Sequence, residues 1–279
     1  MRFSPKFNEY RTFGIEIEFK IQIRDGYFVA ERLSAATGVS VVYREYTHEV
    51  MRTWKLITDA SITGGFELVS PPLSGLTGLE QVRTMMRALV SLGASVDRQC
   101  GLHVHHNAID LTPDELVGLV VFHTQFESVI DKFHPVSRRN NNYAEGRYYP
   151  MERQFAEEIR ASKTMTRKRD LFELAYGSGQ ARSSRYRKLN TQSFRLYGTV
   201  EFRQHAGTLN GTKATNWIMF TQLLVEKAKC GVDITPRAKV SFGELVRALR
   251  LGSATPEISH LRDFYYNRMR QLSREGGEE

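Results

Sequence analysis

Three short segments each carry two polar side chains spaced two residues apart, which places both on one face of a β-strand. The pairs are Glu16 with Glu18, His103 with His105, and Glu201 with Arg203. Two adjacent carboxylates repel each other unless a cation or a proton lies between them. Carboxylate oxygens suit Mg²⁺, particularly where phosphates supply further ligands. The first pair therefore predicts either a metal site or an exposed strand face.

The other two pairs are compatible with phosphate chemistry. Two imidazoles on one strand face can ligate a metal or bind phosphate, although HxH is a weak signal by itself. Glu201 could hold a cation while the Arg203 guanidinium stabilises a phosphoryl group; a salt bridge between them is the alternative. Asp59, Ser61 and Glu67 complete the candidates, and each alone also fits a turn or an exposed strand.

Strands must carry these residues for the pairs to share a face. Apolar and charged residues alternate over residues 12–23, the period of two of a strand with two different faces. Further strands are predicted at residues 54–59, 66–69, 94–96, 102–106, 189–194 and 198–203. Because a sheet brings such strands together, we expect the polar pairs to converge.

Helices are clustered rather than alternating regularly with the strands. Apolar spacing predicts helices between Ser74 and Gly93 and over residues 112–133, 151–160, 166–176, 212–229, 242–249 and 257–272. Thr112 and Glu115 form a capping box with Pro113 at the first helical position. This arrangement predicts an α+β fold with a largely antiparallel sheet. We expect one domain over residues 1–272 and a flexible tail over residues 273–279.

Composition narrows the class of protein. The 279 residues are 41% hydrophobic and 25% charged, which is an ordinary globular composition. The two cysteines, Cys100 and Cys230, form no CxxC or Cys/His spacing, which argues against a disulfide scaffold or a zinc module. No segment resembles a signal peptide or approaches the ~20 apolar residues of a spanning helix. These features predict a soluble, cytoplasmic protein.

The formal net charge is +8, and much of the excess lies between Arg138 and Arg195. Clustered Lys and Arg attract phosphates irrespective of sequence. The charge alone is therefore compatible with a nucleic-acid partner, with an anionic substrate, or with a solvated basic face.

Six segments taken in order resemble the signature series of the amidoligases of the glutamine synthetase and glutamate–cysteine ligase superfamily. They are FGIEIEF, WKLITDASI, FELVSPPL, CGLHVHH, RYRKLN and TVEFRQHAGTLN. The resemblance covers about residues 13–220 and rests on the joint order of these motifs. It implies a glutamine synthetase/guanidino-kinase-like catalytic domain, with a curved sheet of about six strands and helices on its convex side. The concave face would carry ATP and two or three Mg²⁺ ions.

The resemblance also implies roles for individual residues. The metal ligands would be Glu16, Glu18, Glu67, His103 and Glu201. The catalytic pair would be Glu201 and Arg203, with Arg203 contacting the transferred phosphoryl group. His103, His105 and Arg203 would bind the cofactor. The substrate contacts would come from Asp59, Ser61, Arg185 and Asn190, although Arg185 fits an ordinary surface arginine equally well.

The implied reaction joins a carboxylate to an amine. ATP converts the carboxylate to an acyl phosphate, and an amine then displaces the phosphate. Water must be excluded from this intermediate, so we expect a lid from residues 138–146 or 177–184. The basic segment would then suit ATP and an acidic acyl substrate, with an amino acid, peptide or protein as the amine donor, and it ceases to indicate nucleic acid.

Two alternatives remain open at this point. A metal-dependent phosphoesterase or nuclease would explain the charge but not the EFR motif. A non-catalytic binding protein on the same fold would have no physical reason to retain clustered carboxylates, whose repulsion costs stability.

Overall fold

The computed structural model describes residues 3–45, 47–59, 62–139, 141–176, 185–237 and 240–275. The strands are β1 (Phe13–Lys20), β2 (Val41–Arg44), β3 (Trp54–Ile57), β4 (Gly65–Val69), β5 (Gly101–Asn107), β6 (Leu189–Asn190) and β7 (Thr199–Ala206). Among the described residues, these seven form a mixed sheet in the order β2-β3-β4-β1-β5-β7-β6. The β2–β3 pair is parallel, and the pairs β3–β4, β4–β1 and β6–β7 are antiparallel. The predicted α+β class with a largely antiparallel sheet is therefore confirmed.

The helices begin with α1 (Gly26–Thr37), α2 (Gly75–Ser91), α3 (Pro113–Ile130), α4 (Val136–Arg139), α5 (Tyr149–Ala161) and α6 (Met165–Tyr176). They continue with α7 (Gln192–Tyr197), α8 (Gly211–Lys229), α9 (Phe242–Ala248), α10 (Pro256–Ser259) and α11 (Leu261–Glu275). Within the described ranges, no helix combines the length and apolar character that crossing a membrane requires.

The chain divides into two compact units. The strand-rich unit comprises the described residues of 9–105 and 205–218, and the helix-rich unit comprises those of 3–8, 106–204 and 219–275. The first contains β1–β4, α1, α2 and most of β5. The second contains β6, most of β7, α3–α7 and α9–α11, and α8 is divided between the two units.

The core of the strand-rich unit lies beneath one face of β1. Ile15, Ile17 and Phe19 are fully buried there, whereas the alternate residues carry polar side chains. The backbones of β1 and β4 approach closely at Gly65. A Cβ at this position would lie 2.1 Å from the carbonyl oxygen of Phe19, so a larger residue would not fit. The hydrophobic side of β1 thus fixes the direction in which its glutamates point.

The core of the helix-rich unit is built around α3. Thr112 and Glu115 form the predicted capping box, and the helix is buried along most of its length. A 3₁₀ turn, Asp131–Phe133, continues it, and the Phe133 ring stacks on Tyr265 of α11 at 4.3 Å. The predicted helix over residues 112–133 is therefore confirmed, with its last turn tightened.

Several predicted element boundaries are wrong. Residues 94–96 form no strand, and only Ser95 bridges to Lys20. The strand predicted over residues 189–194 ends at Asn190, because the Asn190 side chain accepts a hydrogen bond from Gln192 N and α7 begins there. The helix predicted over residues 257–272 is divided at His260, and its second part extends through Glu275. The sequence reasoning missed α1 and β2.

Candidate active site

Three glutamates share one face of the β1–β4 pair in the strand-rich unit. Glu18 lies directly opposite Glu67 in the antiparallel register, and Glu16 precedes Glu18 by two residues on the same strand. Glu18 and Glu67 are each only 7% exposed. The Gly101 amide donates a 2.5 Å hydrogen bond to Glu18 Oε2, which fixes that carboxylate.

His103 and His105 bring β5 into contact with these carboxylates. His103 Nδ1 lies 2.9 Å from one oxygen of Glu16, and His105 Nε2 lies 3.2 Å from the other. His103 Nε2 is 3.7 Å from Glu18 Oε1. The two predicted same-face pairs, from β1 and β5, therefore converge, as expected if one sheet brings the strands together.

The convergence creates two adjacent groups of possible metal ligands. In the first, ligand atoms of Glu16, Glu67 and His103 lie within 4.8 Å of one another. In the second, carboxylate oxygens of Glu18, Asp59 and Glu67 meet the same limit, so Glu67 belongs to both. Carboxylate oxygens predominate in this donor set, which fits a hard cation such as Mg²⁺.

We call the carboxylates of Glu16, Glu18, Asp59 and Glu67 the acidic cluster. The crowding of these groups changes the pKa values of two of them. Burial raises the pKa of Glu67 well above its ordinary value, and the negative charges of Glu16, Glu18 and Asp59 raise it further. Burial would also raise the pKa of Glu16, but hydrogen bonds and charge from His103 and His105 outweigh it and hold this pKa well below the ordinary range. A cation between the carboxylates would replace the proton that Glu67 otherwise tends to keep.

Lys55 is a further polar residue of this unit that the sequence reasoning missed. It lies opposite Val69, which in turn lies opposite Glu16, so all three project from the same sheet face. Its Nζ donates 2.8 Å hydrogen bonds to the carbonyls of Thr47 and Glu49. Burial lowers the pKa of Lys55, whereas Glu67 and Glu16 oppose that shift. A lysine within the apolar strand WKLI was the available signal.

Glu201 and Arg203 form a second polar group, within the helix-rich unit. The Arg203 guanidinium donates through Nη1 to Glu201 Oε1, and Asn190 Nδ2 donates to the other carboxylate oxygen at 2.6 Å. Glu201 and Asn190 are buried. Arg203 Nε also donates to the Tyr143 carbonyl at 3.3 Å. The predicted pair is thus an ion pair held by a buried amide and a backbone oxygen.

The first predicted lid, residues 138–146, forms hydrogen bonds with other segments of the helix-rich unit. Glu145 N donates to the Tyr186 carbonyl at 2.6 Å, and Lys188 N donates to the Glu145 carbonyl at 2.9 Å. Arg138 is buried, and its Nη2 donates to the Arg203 carbonyl at 2.8 Å. These bonds make the described part of the segment a support for Arg203. The second predicted lid, residues 177–184, lies outside the described residues.

Of the two remaining substrate candidates, Arg185 and Ser61, the structure describes only Arg185. The Arg185 side chain is exposed, donates through Nη2 to the Tyr186 hydroxyl at 2.8 Å and lies over that ring at 5.0 Å. Ser61 lies outside the described residues.

Comparison with known proteins identifies the family. The model of the family described as "Putative amidoligase enzyme" matches residues 9–225, more than three quarters of the chain. That range contains the acidic cluster of the strand-rich unit as well as Glu201 and Arg203. No curated protein matches the sequence. The chain belongs to the amidoligase family.

Proposed function

We propose that the protein is an ATP- and Mg²⁺-dependent carboxylate–amine ligase that forms an amide bond through an acyl-phosphate intermediate. The observation that carries this proposal is the convergence of Glu16, Glu18, Glu67 and His103 on one sheet face. The family match supports amide-bond formation as the reaction class. We further propose a glutamine synthetase-like catalytic fold, and a cytoplasmic location in which the two free cysteines stay reduced.

The acidic cluster would hold two or three Mg²⁺ ions. We assign Glu16, Glu67 and His103 to one ion and Glu18, Asp59 and Glu67 to another, because these sets bring their ligand atoms together. We also propose Glu201 as a metal ligand, on the family resemblance. Bound Mg²⁺ would neutralise negative charge on the ATP phosphates during phosphoryl transfer. The chain's own part is to hold these carboxylates in place through the Gly101 amide, His103 and His105.

Arg203 would stabilise the phosphoryl group as it moves from ATP to the substrate carboxylate. A guanidinium has a planar fork of donors that matches phosphate oxygens. Glu201 and the Tyr143 carbonyl restrain this fork, so little rotamer freedom is lost when it binds. Removing a single such donor from an active site typically slows catalysis about 10²–10³-fold.

We also assign contacts with the substrates and with ATP, and Asp59 and His103 would make such contacts in addition to holding a metal ion. Asp59, Ser61, Arg185 and Asn190 would contact the acid or the amine, and His103, His105 and Arg203 would contact ATP. The acid would be an anionic carboxylate, since the excess of basic residues lies between Arg138 and Arg195. The amine donor would be an amino acid, a peptide or a protein.

The test is ADP release by the purified full-length chain with ATP, Mg²⁺ and pools of candidate acids and amines. We expect ADP and phosphate to form only when a matching acid is present, and Glu16→Ala and Arg203→Ala to lower the rate at least a hundredfold. Glu80→Ala and Arg87→Ala serve as controls, because these residues form an exposed ion pair on α2. Both controls should retain the normal rate.

Two results would overturn the proposal. Cleavage of DNA or RNA without ATP, lost in Glu16→Ala, would identify a metal-dependent nuclease. Binding of ATP without ADP release across all pools, unaffected by either active-site variant, would identify a non-catalytic binding protein.

A further inference from the structure

A buried polar network lies behind Arg203 in the helix-rich unit. Lys188 is 3% exposed, and its Nζ lies 2.7 Å from Asp131 Oδ2 and 3.1 Å from Glu127 Oε1. Glu127 belongs to α3 and Asp131 to its 3₁₀ extension, whereas Lys188 immediately precedes β6. The ammonium group therefore ties the start of β6 to the most deeply buried helix of the unit.

Asp131 also contacts β7 through its second carboxylate oxygen. Gln204 Nε2 donates to Asp131 Oδ1 at 3.1 Å, and Gln204 Oε1 accepts from His123 Nε2 at 2.6 Å. Burial lowers the pKa of His123 to about 4, so this imidazole is neutral near pH 7. One carboxylate thus joins two chain segments, at Lys188 and at Gln204.

Both segments connect directly to the backbone of Arg203. The Arg203 amide donates to the Lys188 carbonyl at 2.8 Å, and Gln204 is the next residue along β7. A shift of either Lys188 or Gln204 therefore moves the backbone from which the Arg203 side chain extends. Misplacement of a catalytic group by a distance of about 1 Å can cost a hundredfold in rate.

We propose that Asp131 is a positioning residue for Arg203, and that it acts by holding Lys188, which accepts a hydrogen bond from the Arg203 amide, and Gln204, which follows Arg203 in the chain. This inference rests on the proposed function only for its kinetic effect. The link between Asp131 and the Arg203 backbone follows from the contacts themselves.

A double-mutant cycle with a spectroscopic readout tests the inference. We expect Asp131→Asn to lower the rate of ADP release at least tenfold, but less than twofold in an Arg203→Lys background, because residues that act as one unit are not additive. In protein labelled with ¹⁵N-arginine, Asp131→Asn should shift or broaden the Arg203 Nε–H resonance, which is identified by its loss in Arg203→Lys.

Asp114→Asn is the matched control. It removes the same charge from the other end of α3 and breaks an aspartate–lysine pair of similar length, 2.7 Å to Lys168. This variant should change the rate less than twofold and leave the resonance in place. If Asp131→Asn does not fold, Gln204→Met removes one of the two links while Lys188 keeps its ion pairs, and it should give the same shift.

The proposal is overturned if Asp131→Asn leaves the Arg203 resonance unchanged, or if it slows the Arg203→Lys protein as much as the parent. The resonance does not depend on turnover. A protein without ligase activity whose Arg203 signal responds to Asp131→Asn would therefore refute the proposed function and retain the positioning role.

Discussion

The two units surround their carboxylates with different charges. In the helix-rich unit, Glu127 and Asp131 share the ammonium of Lys188, and Glu201 accepts from Arg203. In the strand-rich unit, Glu18 and Glu67 lie opposite each other on neighbouring strands, and burial together with negative neighbours raises the pKa of Glu67. In the first arrangement, each carboxylate contacts a cation of the protein. The second carries crowded negative charge near a lysine, Lys55, and a bound cation would neutralise it, which supports the metal site that we propose there.

The largest effect should come from unbalancing the network of the helix-rich unit. Lys188→Met leaves Glu127 and Asp131, whose side chains are 14% and 16% exposed, without their buried cation, and we expect a cost of about 3 kcal/mol, the lower end of the range for breaking a buried ion pair. Urea unfolding, followed by circular dichroism, measures the loss in the free energy of unfolding. Added Mg²⁺ should not restore it.

Lys168→Met is the control for this substitution. The ion pair between Lys168 and Asp114 is more exposed than that of Lys188, with 17% and 28% of the two side chains accessible. Its loss should therefore lower the free energy of unfolding by about 1 kcal/mol or less. Equal costs for the two variants would show that the Lys188 network is no more important to the fold than a surface pair.

Mg²⁺ should have the next largest effect, through the acidic cluster. A cation that binds only the folded state stabilises it by about 2.7 kcal/mol at a concentration 100 times Kd. We expect this gain in the parent protein and its loss in Glu16→Gln, which keeps the size of the side chain but removes a charged ligand. Thermal unfolding with and without Mg²⁺ measures it.

Glu80→Gln provides the comparison, because Glu80 is an exposed carboxylate of α2 in the same unit. This variant should retain the full response to Mg²⁺. An undiminished response in Glu16→Gln would instead locate Mg²⁺ binding elsewhere on the protein.

The local patterns of the sequence predicted the features that depend on nearest neighbours. Period two placed Glu16 with Glu18 on one face of β1, and His103 with His105 on one face of β5, because successive side chains of a strand point to opposite faces. The capping box of α3 was equally predictable, since its hydrogen bonds join residues three apart.

Features that depend on distant partners could not be predicted in this way. Lys188 and Asp131 are 57 residues apart in sequence, and neither segment has a pattern that identifies the other. Helix α1 was missed because only Val29, Ala30 and Leu33 supply its buried side chains beyond its first glycine, too narrow a stripe to stand out. The strand predicted after Lys188 was cut short by the side-chain turn at Asn190, where a local hydrogen bond competes with the strand.

The smallest predicted effect is a pH dependence that distinguishes the two units in the metal-free protein. The pKa of Glu67 is raised on folding by burial and by neighbouring carboxylates, so the folded state binds more protons than the unfolded state above the ordinary glutamate pKa of 4.5. The stability contributed by this proton is therefore lost as the pH rises through the folded-state pKa. Glu16 has the opposite effect on stability. Because its pKa is lowered on folding, the stability that its ionised form contributes is lost only as the pH falls into the acid range.

Above about pH 5 we therefore expect the parent protein in EDTA to lose stability as the pH rises, and Glu67→Gln to lose less over the same range. Urea unfolding at each pH measures the slope. Glu80→Gln should keep the parent slope, since that carboxylate is exposed and its pKa is lowered by Arg87. Parallel slopes for the parent and Glu67→Gln would mean that Glu67 is ionised without a metal, and the acidic cluster would then be balanced by the protein itself, as the network around Lys188 is.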